Sequence, residues 1–83
     1  MFDYNVYPEC NEKAYKKAVA LIEKHFPEFK KEKELIDVDS TAIQVFSLSK
    51  KTAVRVFNDT EIGAVYVESE VDLSSIDFSV AIC

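Results

Sequence analysis

Along the second half of the chain, apolar and polar residues alternate with the period of two that marks strands with one buried face. The run 64–71 sets Val65, Val67 and Val71 on one side and Tyr66, Glu68 and Glu70 on the other. Asp72-Leu73-Ser74-Ser75 is rich in turn residues, and the run 76–82 then alternates again. Folding these two runs together puts Val71 against Ile76, Val67 against Val80 and Val65 against Ile82, with Ser69 opposite Phe78 and Glu70 opposite Asp77. Upstream, a turn at Lys50-Lys51 joins strands over 42–49 and 52–58, with Val45 against Val56 and Ser47 against Val54. The next connection holds Gly63, the only glycine, which supplies conformational freedom for a turn. It sets Val56 against Val65 and Val54 against Val67. A one-residue slip would expose the whole apolar set, so the pattern specifies one buried face.

The first half supplies the cover for that face. Phe2, Tyr4 and Val6 alternate inward along a first strand that Pro8 ends. Asn11 reads as a helix N-cap, with Glu12 suited to the positive end of the dipole. At 100° per residue, Tyr15, Ala18, Val19, Ile22 and Phe26 form a stripe, with Ala14, Leu21 and His25 on its shoulder and Lys13, Lys16, Lys17, Glu23 and Lys24 opposite. This predicts one amphipathic helix to about Phe26, closed by Pro27. Phe29 then anchors a charged connection. Residues 34–38 read as a strand with Ile36 and Val38 inward and Ile36 against Ile43, turned by Asp39-Ser40. The expected fold is α+β: a mostly antiparallel sheet of about six strands in the order β-α-β-β-β-β-β, a meander with one helix packed on one face. The first strand belongs at an edge or beside the last. The 83 residues are expected to form a single domain, 1–83, which buries only about 60–65% of its unfolded surface.

The opposite face of the sheet is less polar than a solvated face should be. It would carry Gln44, Phe46 and Leu48, then Ala53, Arg55 and Phe57, then Tyr66, Glu68 and Glu70. In this register Arg55 lies between Phe46 and Tyr66, where a guanidinium stacks on rings for about 0.5–2 kcal/mol. Phe46, Leu48, Phe57 and Tyr66 together mark a surface for a partner or for a second copy of the chain.

Charge sharpens that expectation. Fifteen acids against ten bases give a net charge of −5, and residues 56–83 hold six of the acids and no base. Glu68, Glu70 and Asp77, with Asp37 and Asp3 pointing the same way, form an acidic row suited to a solvated face or to a basic partner. Such a row on a flat sheet spreads its carboxylates too far for a metal site. A net acidic chain does not seek nucleic acid or anionic membrane directly. The lysines of 30–33 are interleaved with Glu28, Glu32 and Glu34, so their net field is small.

Catalytic chemistry finds little footing. His25 is the only histidine and reads as a satisfied, partly buried residue on the helix shoulder. Cys10 and Cys83 lack metal-ligand spacing; a disulfide between them would need the first and last strands as neighbours, and in a chain without an export signal two free thiols are the expectation. One glycine allows no phosphate-binding loop. No segment is long and apolar enough to span a bilayer, and the start lacks the features of a signal peptide. The expectation is a complete cytoplasmic protein that is not an enzyme and uses no cofactor and no metal. It would be a small acidic protein-binding module, an inhibitor, immunity-type or adaptor protein, acting through Phe46, Leu48, Arg55, Phe57, Tyr66, Glu68, Glu70, Asp77 and Asp37. The alternative is a nucleic-acid mimic of the anti-restriction or anti-CRISPR kind, whose strand-borne carboxylates imitate phosphates and block a DNA-binding protein.

Overall fold

The computed structural model of the chain describes residues 2–78. The elements run β1 (Phe2–Tyr7), α1 (Glu12–His25), β2 (Lys30–Lys31), β3 (Leu35–Ile36), β4 (Ala42–Leu48), β5 (Lys51–Asp59) and β6 (Ala64–Ser69). All strand pairs are antiparallel, in the order β1-β6-β5-β4-β2, with β3 also paired to β4. This is the expected α+β architecture, one helix on a six-stranded sheet. β1 lies both at an edge and beside the last described strand, β6.

The helix forms where the stripe places it. The Asn11 side chain accepts a hydrogen bond from the Ala14 N–H at 2.8 Å, filling one of the donors a helix start leaves open. Lys24 and His25 occupy the last turn, where positive charge suits the dipole. Ala14, Tyr15, Ala18, Val19 and Ile22 are buried, against a sheet face that contributes Val6, Val54, Val56, Val65 and Val67. Phe29 is buried as an anchor and stacks on Phe26 with ring centroids 5.0 Å apart.

The β4–β5 hairpin departs from the expected register, and the cause is local. Its turn residues are Ser49 and Lys50, both at positive φ (53° and 68°), as a two-residue type I′ turn requires. Leu48 pairs with Lys51 and Ser47 with Thr52. A bulge then leaves Ala53 as an extra residue, so Phe46 pairs with Val54 and Gln44 with Val56. The bulge exchanges the two faces of β4. Ala42, Gln44 and Phe46 point toward the helix, while Ile43 and Val45 point away. Val45, expected in the core, is on the outer face, and Phe46, expected on the outer face, is completely buried. Gln44 is tolerated inside because its amide nitrogen donates to the carbonyls of Glu32 (2.6 Å) and Val45 (3.2 Å).

The β5–β6 hairpin keeps its faces but shifts by two residues, so Val56 opposes Val67 and Asn58 opposes Val65. Its loop is held by Asp59, whose carboxylate accepts the N–H groups of Glu61 and Ile62, and by Gly63 at φ 75°. β6 ends at Ser69 and pairs with β1 on its other side, setting Ser69 opposite Phe2 rather than Phe78. Phe2 has the inward parity but is 43% exposed.

Residues 70–78 are a folded loop rather than the return strand the alternation suggests. Leu73, Ile76 and Phe78 are buried, and the Leu73 N–H donates to the Tyr4 hydroxyl at 2.8 Å. The rest of the expected strand, residues 79–82, lies outside the described residues, as does Cys83. β3 is shorter than expected and pairs Leu35 with Ile43 and Ile36 with Ala42; Ile36 and Val38, read as inward, are exposed.

Candidate functional site

One face of the sheet is covered by α1 and the other by no described element. Strand register arranges the open face in rows. Asn5, Tyr66, Phe57, Ile43 and Leu35 follow one another across β1, β6, β5, β4 and β3. The next row runs Asp3, Glu68, Arg55 and Val45.

Phe57 and Tyr66 stack with ring centroids 4.7 Å apart and planes within 13°. They stack because the two-residue shift in β5–β6 places them directly opposite each other. The Tyr66 hydroxyl donates to Asp59 Oδ2 at 3.0 Å. Partial burial and that carboxylate push the Tyr66 pKa up to about 12. Asp59, paired with Ala64 at the loop end of the hairpin, is thereby fixed, its other oxygen committed to the loop.

Arg55 does not lie between two rings as expected. Its partner across the strands is Glu68, with an Nη2–Oε1 distance of 3.3 Å. Beside this pair, Thr52, Ala53, Arg55, Glu68, Ser69 and Glu70 enclose a small notch of about 130 Å³. It includes Ala53, the extra residue of the β4–β5 bulge. The Glu70 N–H donates to the Ala53 carbonyl at 2.8 Å and fixes one wall.

The expected site residues therefore divide. Arg55, Phe57, Tyr66 and Glu68 share the open face, with Glu70 at its rim. Phe46 belongs to the core, so no partner can touch it. Leu48 has the parity of Phe46 and sits at the tip of the β4–β5 hairpin, 39% exposed. Asp37 follows β3 at the end of the sheet remote from Glu70, and Asp77 lies exposed in the loop after β6, so neither extends an acidic row. No strand pairing sets Glu70 against Asp77 among the described residues. Ile43, Val45 and Leu35 were missed. Either parity of 42–48 reads as a buried face, and only the bulge decides between them.

His25 is exposed at the helix end rather than partly buried. Cys10 is exposed and free, its thiol donating to the Asp59 carbonyl at 2.9 Å. Among the described residues no group of three or more His, Cys, Asp or Glu side chains could hold a metal ion. Nor does any described helix have the length and apolarity to cross a membrane. Comparison with protein-family models, curated proteins and solved structures finds no match.

Proposed function

We propose that this chain is a small protein-binding module, of the inhibitor, immunity or adaptor kind, that holds its partner on the open face of the sheet. One observation carries the reading: the uncovered face presents the stacked Phe57 and Tyr66 flanked by Ile43, Val45 and Leu35. A solvated antiparallel face ordinarily turns polar residues outward. An apolar centre with a charged rim is the anatomy of a recognition surface. The rim here is Asp3, Asp59, Glu68 and Glu70 against Arg55, so the partner that fits has an apolar centre and a basic rim.

The test is capture by the immobilised chain from a lysate of its source, with Phe57→Ser and Glu68→Lys as controls of unchanged melting temperature. A protein retained by the wild type and lost with both variants is the expected result. Identical retention by all three chains would overturn the reading. Release of the captured protein by duplex DNA would favour the mimic over the adaptor.

A further inference from the structure

The two edges of the sheet are built differently. At one edge, the loop 70–78 packs on the inward-facing Tyr4 of β1, with Phe78 against its ring (centroids 5.7 Å apart) and Asp72 against its hydroxyl. At the other, β2 and β3 lie one after the other along β4, with Lys31 opposite Phe46 and Leu35 opposite Ile43. Residues 32–34 stand there against only Gln44 and Val45, so β2 and β3 are one edge interrupted by a one-residue bulge. Natural edges are guarded by charge, proline or bulges. The first half of this edge, Lys30 to Glu34, follows that rule. The second half does not: Leu35 is 54% exposed, Ile36 62%, and Val38 fully.

The backbone direction makes this second half a template. The Asp37 N–H donates to the Thr41 carbonyl at 2.9 Å, so its polar groups face β4. In an antiparallel ladder those groups alternate, and the N–H and C=O of Ile36 therefore point away from the sheet. What fits there is another extended strand. The residues around Leu35 say which one. Lys33 lies two positions before Leu35 and Asp37 two after, so the segment is complementary in charge to its own antiparallel copy.

We propose that two copies of this chain join edge to edge through β3, about a two-fold axis at Leu35. Leu35 then packs on the partner subunit's Leu35, and Lys33 lies opposite the partner subunit's Asp37, twice over by symmetry. Ile36 falls opposite the partner subunit's Glu34. In this chain the Glu34 carboxylate accepts the Tyr15 hydroxyl at 2.7 Å, which draws it toward α1 and clears the contact. β1 offers no such pairing, since Asp3 is its only charged residue. Of the open face's apolar row the assembly uses only Leu35, and Phe57 and Tyr66 stay clear of the contact. It sets two such faces side by side on one continuous sheet.

Sedimentation equilibrium tests the charge pattern. Wild type should dimerise, K33D and D37K should each weaken the dimer by roughly ten-fold, and the K33D/D37K chain should recover it. In a background with Cys10→Ser and Cys83→Ser, L35C should cross-link to itself under mild oxidation, and L48C should not. A wild-type chain that stays monomeric would overturn the proposal. So would a double variant no tighter than the single ones, or equal cross-linking by L48C. A dimer lost with Phe57→Ser and indifferent to K33D would move the interface to the open face, and this proposal would be wrong.

Discussion

Phe46 and Val45 show how narrowly adjacent residues divide between core and surface. The segment Ala42-Ile43-Gln44-Val45-Phe46-Ser47-Leu48 carries apolar residues on both parities. Counting β-branched residues favours Ile43 and Val45 as the buried set. The structure buries Phe46 instead, because a ring removes more apolar area from water than a valine and Gln44 beside it finds two carbonyl acceptors. Phe46→Ala should therefore cost about 3–5 kcal/mol, while Val45→Ala should cost under about 1 kcal/mol, its side chain being only partly covered. Denaturant midpoints measure both. Equal costs would mean that the faces of β4 are not divided as described. Tyr15 was legible on the helical stripe, but its hydrogen bond to Glu34 was not. Burial and that carboxylate push its hydroxyl pKa far above the ordinary range, so the proton stays on the donor.

Among the elements, those governed by periodicity were legible and those governed by one extra residue were not. Asn11, the helical stripe and the inward parity of Val54, Val56, Val65 and Val67 follow from spacing alone. The Ala53 bulge and the Ser49-Lys50 turn do not, since nothing in the composition of 49–53 distinguishes one turn position from the next. Residues 76–78 mislead for another reason. Their alternation is real, but Ile76 and Phe78 are buried as members of a folded loop with Leu73, in one core cluster with the helix and the sheet. The turn yields a prediction. Ser49 and Lys50 adopt positive φ at a steric cost that Asn and Gly largely avoid. Replacing the pair by Asn-Gly should raise stability by about 0.5–1 kcal/mol without moving the bulge. Chemical denaturation checks the gain, and a loss of stability would show that the turn is not of the primed type.

For the whole molecule, the question is why the acids of the open face are where they are. Asp3 and Glu68 are directly opposed across β1 and β6, and Arg55 answers Glu68 from the other side. Like charges in opposed positions cost about 0.2–1 kcal/mol, an expense the fold could avoid with one of the lysines it places freely on α1. Asp3→Lys should therefore stabilise the chain by about that amount at low salt. The gain should shrink toward zero near 1 M salt, where screening acts over about 3 Å. The same substitution should slow the association of a basic partner, because attraction across the approaching surfaces speeds encounter more than it deepens the bound state. Stability gained together with binding rate lost would mark the acidic rim as placed for the partner rather than for the fold. A midpoint unchanged at every salt concentration would mean that Asp3 and Glu68 are fully solvated from each other, and the rim would carry no such cost to explain.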